Sequence, residues 1–202
     1  IDSLANVKQA AAEANFELGL IDEKVRDAIV AACKEITNGK LHNHFVVDMI
    51  QGGAGTSTNM NANEVIANRA LELMGYSKGE YQHCHPLNHV NLSQSTNDAY
   101  PTAVKLAIVR SNAKLIKVLE SLIESFRKKG QEFAHVIKMG RTQLQDAVPM
   151  TLGQEFEAYA VTLGEEIERL TQNAKLFLEI NMGATAIGTG INSDPEYPQK
   201  VL

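Results

Sequence analysis

Three short stretches of this 202-residue chain gather small hydrogen-bonding side chains with almost no charge: Gly53–Glu64 (GAGTSTNMNANE), Ser93–Asp98 (SQSTND) and Gly140–Ala147 (GRTQLQDA). Uncharged hydroxyl and amide donors suit a small anion. Each stretch is read as preceding a helix, and a helix start adds unpaired N–H groups and the positive end of the helix dipole. A dicarboxylate fits such a site. The chemistry this suggests is proton abstraction beside a carboxylate, where the transition state places extra negative charge on carboxylate oxygens that neutral donors can stabilise. Taken singly, Ser95, Thr96, Asn97 and Thr142 are ordinary cap and turn residues, and Asn59, Asn61 and Asn63 are expected to satisfy buried backbone. The three stretches together carry the functional reading.

Other chemistries lack their parts. There is no Ser-His-Asp spacing, no glycine-rich phosphate loop after a strand and no HExxH. His42, His44, His83, Cys84, His85 and His89 fall on irregular segments without the spacing that fixes tetrahedral ligation, so they read as surface or turn residues and no metal is expected. Arg141 is expected to pair structurally with a buried Asp146.

The elements that must hold these stretches are helical. Leu4, Val7, Ala11, Ala14 and Leu18 recur at helical spacing before Gly19, and Val25, Ile29, Ala32 and Ile36 follow a capping Asp22 and stop at Gly39. Asn63 to Met74 reads as a third helix ending at Gly75, after a loop that contains Gly52, Gly53 and Gly55. Two long helices follow. One starts with Pro101 in its first turn and runs to Lys129 before Gly130, and the other runs from Leu152 to Ile180, each on the order of 40 Å long. Joined through residues 131–150, they form a helical hairpin that cannot cover all of its own apolar stripes, so other helices must dock there. The expected fold class is all-α, an N-terminal helical segment followed by long helices of a central helical bundle, with residues 1–97 and 98–202 as its two parts.

Composition sets the outer limits. The chain is 44% hydrophobic and 21% charged with a formal net charge of −5, which excludes disorder and gives no basic footprint for nucleic acid. No apolar run approaches a membrane span and no signal peptide is visible, so no membrane partner and a cytoplasmic location are expected. Cys33 and Cys84 form no CxxC, which fits a reducing compartment. The chain opens at Ile1 and closes on the start of another helical pattern, so it reads as a segment of something longer.

Residues 52–65 (GGAGTSTNMNANEV), 93–98 (SQSTND) and 140–149 (GRTQLQDAVP) resemble the aspartase/fumarase superfamily, and so do Leu152–Phe156 (LGQEF) and Gly183–Gly190 (GATAIGTG). The resemblance runs nearly end to end. Within the superfamily, residues 51–57 (QGGAGTS) and 95–99 (STNDA) are similar to the aspartases rather than the fumarases. It implies reversible deamination of L-aspartate to fumarate and ammonia by anti-elimination through a carboxylate-stabilised carbanion, with no cofactor. Thr56, Ser95, Thr96, Asn97, Thr142 and Gln143 match the family's substrate-binding positions. Many members carry Thr-His where this chain has Thr142-Gln143, and an amide cannot titrate, so the pocket is purely hydrogen-bonding. The family's general base is a serine on a mobile Gly-Ser-Ser loop. This chain has no such loop, so no catalytic residue is assigned within it, and alone it is expected to be inactive. The family also implies a homotetramer whose sites each draw on three subunits. Fumarate hydration and a non-catalytic helical assembly domain are the alternative readings.

Overall fold

The computed structural model describes residues 1–50 and 53–202; Gln51 and Gly52, the latter in the loop expected from the sequence, lie outside the described residues. The chain divides into two compact units, residues 1–107 with 179–202, and residues 108–178. Helices dominate both, as the sequence patterns require. Among the described residues the exception is one antiparallel two-stranded hairpin.

In the first unit, α1 (Asp2–Glu17) and α2 (Glu23–Thr37) pack together and α3 (Thr56–Leu73) packs on α2. Asp22 caps α2 by accepting from Val25 N at 3.1 Å. One core cluster joins Ile29, Ala32, Cys33 and Ile36 of α2 to Ile66, Ala67, Ala70 and Leu71 of α3 and to Ala5 and Ala12 of α1. Fully burying each isoleucine or leucine there stabilises the unit by roughly 1.5–3 kcal/mol. The other face of α1 (Leu4, Val7, Ala11 and Ala14) meets Ala62, Ala99, Ala103, Met182, Tyr197 and Val201. Tyr197 and Val201 come from the short α6 (Tyr197–Lys200) and the residue after it. Helix α1 is therefore buried on two sides, and its many alanines permit that.

Two helix starts differ from the sequence reading. Helix α3 begins at Thr56 rather than Asn63, so most of the first polar stretch forms the helix's opening turns. Its polar turns still have a buried face: Thr58, Asn59 and Asn63 are buried beside Ala62. Helix α4 runs from Thr96 to Glu132 with Pro101 inside it, five residues beyond its start. Proline has no N–H to donate to the carbonyl four residues back. That carbonyl, on Asn97, accepts instead from Asn181 Nδ2 at 3.1 Å.

The second unit holds the remainder of α4, the hairpin and α5 (Leu152–Leu176). Strands β1 (Ile137–Thr142) and β2 (Gln145–Thr151) pair in register from Ile137 opposite Thr151 to Thr142 opposite Gln145, with a shift between Met139 and Arg141. The third polar stretch thus forms a hairpin and not a helix start. Its two turn residues, Gln143 and Leu144, have φ of 51° and 64°, the left-handed pair that matches strand twist in a two-residue hairpin. Thr151 and Gln154 form a reciprocal capping box at the start of α5, with bonds of 2.9 and 3.1 Å. Phe126, Phe133, Phe156 and Tyr159 cluster with ring centroids 5.6–6.3 Å apart, and Ile123 and Ala160 are buried. Leu115, Val118, Leu122, Val161 and Leu176 remain exposed. No helix among the described residues is long and apolar enough to cross a membrane.

Candidate functional site

The start of α4 is where the polar residues converge. Ser95 Oγ accepts from Asn97 N at 3.2 Å, and Asp98 Oδ1 accepts from Ser95 N at 2.8 Å, so the two side chains cap the helix reciprocally. Asp98 is fully buried. Its other oxygen accepts from Gly183 N at 3.2 Å and Thr185 N at 2.9 Å, which pins the glycine-rich segment after α5 against this helix start. Asn97 adds a second tie by donating from Nδ2 to Ala186 O at 2.8 Å.

Helix α3 delivers Thr56 to the same region. Gly55, with φ of 86°, lies against the Tyr100 ring so closely that a Cβ there would overlap it. Only glycine suits both demands. Thr56 is exposed and its hydroxyl donates to Gly53 O at 2.8 Å. One turn further on, the buried Asn59 donates to Thr96 Oγ1 at 3.0 Å and to Asn91 Oδ1 at 3.2 Å. Ser95, Thr96 and Asn97 thus sit together at the start of α4, tied to α3 through Asn59 and the Gly55–Tyr100 contact, with Thr56 next to that glycine. Thr142 and Gln143 lie in the other unit, exposed, at the end of β1 and the first position of the hairpin turn.

Behind Thr96 lies a residue that sequence reasoning passed over. Lys8 of α1 is fully buried, and its Nζ donates to Asn91 Oδ1 and Gln94 Oε1, both at 2.9 Å. Burial pushes its pKa down to about 7, opposed by the charge of Asp98. A signal existed: Lys8 sits four residues from both Leu4 and Ala12, on the inward face of the helix. Asn63 donates to the same Asn91 oxygen at 3.1 Å. Asn59 and Asn63 therefore serve a side-chain network rather than buried backbone, because the polar partners facing them belong to residues 91–96. Asn61 does bond backbone, accepting from Val46 N and donating to His44 O, both at 3.0 Å, but that backbone is exposed rather than buried because His44 and Val46 lie on the surface.

The remaining titratable groups take structural places. His85 accepts from Leu87 N at 3.0 Å at the start of a π-helical turn (Pro86–Val90), and His83 stacks on Tyr76 at 3.8 Å. Burial holds His89 below its ordinary range. Arg141 does pair with Asp146, at 3.3 Å, but that acid is exposed, because it sits on a two-stranded hairpin with nothing stacked over it. Cys33 and Cys84 are buried free thiols pushed up to about 12 by desolvation, which keeps them protonated and unreactive. Among the described residues, no three His, Cys, Asp or Glu side chains gather to hold a metal ion.

What the α4 start can do chemically is present uncharged donors, backed by a helix dipole, to a carboxylate. Comparison with known proteins gives the family. A family model described as lyase matches residues 1–202. Aspartate ammonia-lyase of Pseudomonas fluorescens is 64% identical over 96% of this chain and 41% of its own length. The Helicobacter pylori enzyme (strain 26695) of that name is 62% identical over 98% of the chain and 42% of its length, and the Bacillus subtilis enzyme 56% over 100% and 42%. The chain thus spans about 41–42% of the length of these relatives. Among solved structures, a fumarate lyase:delta crystallin from Brucella melitensis, bound to cobalt, superposes with a TM-score of 0.94 at 58% identity, covering 100% of this chain and 44% of that one. A class II fumarase from Schistosoma mansoni gives 0.89 at 42% identity, covering 99% and 42%.

Proposed function

The chain belongs to the lyase family, within the aspartase/fumarase superfamily, and from that premise we propose that it forms part of an ammonia-lyase acting on L-aspartate. The reaction removes a proton from Cβ, passes charge onto the neighbouring carboxylate and expels ammonia from Cα to leave fumarate. The observation that carries this reading is the α4 start, where Ser95, Thr96 and Asn97 are held together by Asp98 and by Asn59. Neutral, fixed donors favour the doubly charged carboxylate of the carbanion over the ground state, because they need no reorganisation as charge develops.

Thr56, Ser95, Thr96, Asn97, Thr142 and Gln143 are the proposed substrate-binding residues. Gln143 offers hydrogen bonds and no titratable proton, so it holds a substrate group rather than moving a proton. The proposal assigns the general base to the family's Gly-Ser-Ser loop, a sequence this chain does not contain. The 202 residues alone are therefore expected to lack activity. We further propose residues 1–97 and 98–202 as the helical part bearing substrate loops and the first two bundle helices, assembled as a homotetramer whose sites combine subunits. The exposed Leu115, Val118 and Leu122 of α4 support such burial by other helices. The free buried thiols suit the cytoplasm.

The test is turnover by the complete protein carrying this chain, supplied separately with L-aspartate and L-malate and followed by the ultraviolet absorbance of fumarate. Fumarate and ammonia from L-aspartate are expected. Turnover of L-malate alone would replace the reading with fumarate hydration.

A further inference from the structure

A chain of four side chains, Lys8, Asn91, Asn59 and Thr96, has its hydrogen-bond directions set by the backbone at Asn91. A backbone carbonyl has only acceptor sites. The Asn91 atom that faces Gln94 O at 3.2 Å must therefore be its nitrogen, which leaves the Asn91 oxygen facing Lys8 Nζ at 2.9 Å whatever the charge on that lysine. That same oxygen faces Asn59 at 3.2 Å, so the Asn59 atom there must be its nitrogen. The Asn59 nitrogen also lies 3.0 Å from Thr96 Oγ1, which must then accept. A hydroxyl that accepts from behind keeps its proton for what lies in front. Thr96 is half-buried, and among the described residues no acceptor bonded to that proton is found.

We infer that Asn59 is a positioning residue for the proposed reaction, holding the Thr96 hydroxyl as a one-way donor toward the substrate carboxylate. The inference rests on reading Thr96 as a substrate contact, and it adds what that reading lacks: a reason why the hydroxyl donates rather than accepts. Asn59 is fully inside the fold and touches no substrate, so it acts only through Thr96. A second hydroxyl orientation, with the proton turned back, is blocked because Asn59 offers no lone pair in that direction. The buried Asn59 oxygen, which has no partner among the described residues, is the cost of fixing the nitrogen where it is.

Replacing Asn59 with aspartate reverses the logic at nearly constant shape. A carboxylate oxygen facing Thr96 accepts a hydrogen bond from the hydroxyl, which turns its proton back and leaves lone pairs toward the substrate. The experiment is a double-mutant cycle in the complete protein carrying this chain, with kcat/KM for L-aspartate measured for wild type, Asn59→Asp, Thr96→Val and the pair, and far-UV melting confirming each fold. Thr96→Val is expected to lose about 100-fold, by analogy with removal of one fixed donor from a site of developing charge. Asn59→Asp should lose at least about tenfold, and the double variant should fall no more than about threefold below Thr96→Val, since a missing hydroxyl cannot be misdirected. Multiplicative losses, near 1,000-fold in the pair, overturn the inference by showing that Asn59 acts independently of Thr96. If Asn59→Asp does not fold, the same cycle with Asn59→Ala decides between the two outcomes. A wild-type protein that leaves L-aspartate unchanged removes the reaction and this inference together, whereas wild-type turnover with multiplicative losses removes the inference alone.

Discussion

Burying a lysine without a carboxylate bonded to it makes the first unit gain stability as pH rises above neutral, in a calculable way. Lys8 is held at about 7 against an ordinary 10.5, with desolvation the main cause, and Asp98 and the Cys33 thiol the groups facing it that partly offset that loss. Between those two values the unfolded chain binds a proton that the folded chain has released, so stability rises with pH across the window and the penalty is greatest below pH 7. At about 1.4 kcal/mol per pKa unit, with half the folded molecules still charged at the lower limit, the gain from pH 7 to pH 9 is about 2 kcal/mol. Cys33 and Cys84, raised from 9.0 to about 12, act in the opposite sense at and above pH 9, because there the folded chain keeps protons that the unfolded one loses. Their effect is common to wild type and Lys8→Met, so it cancels in the difference. Thermal melting followed by circular dichroism at pH 7, 8 and 9 should show wild type gaining on Lys8→Met by about 2 kcal/mol, or about 4–8 °C in Tm for a chain of this size. Parallel pH profiles for the two proteins would refute the reasoning, since they would mean that Lys8 stays charged or that its charge is solvated in the fold.

Thr142→Val, at an exposed strand end, should leave melting unchanged while lowering kcat/KM of the complete protein by about 100–1,000-fold, the loss typical of one fixed donor in a water-poor site; near-wild-type turnover would remove Thr142 from the site. Gly153→Ala should destabilise the second unit by roughly 1–3 kcal/mol in urea melts, because a Cβ there overlaps the Gly130 carbonyl and the Ala134 backbone. Light scattering at micromolar concentration should show the chain self-associating, and Leu115→Asp with Leu122→Asp, both at exposed positions of α4, should abolish association while helicity is retained. A monodisperse wild-type monomer would show that these helices need no cover.

Periodicity alone located α1, α2 and the body of α5, because their apolar faces repeat at 3.6 residues, and the ends of the first two carry local signals: Asp22 as a cap, and Gly19 and Gly39 as stops. The candidate residues were equally legible, since hydroxyls and amides packed into three uncharged stretches are a property of composition along the chain. The positions of the α3 and α4 starts were not. Their opening turns are polar, and they are helical because Asn59, Asn63 and Asp98 find partners in residues 91–96 and 183–185, which no local window contains. The hairpin was hidden for a similar reason. Gln143 and Leu144 carry no turn signature, and their left-handed backbone is imposed by the strands that pair on either side. Lys8 shows the difference most directly: its spacing puts it on an inward face, but only the fold supplies the two amide oxygens, 83 and 86 residues away, that let an ammonium be buried there.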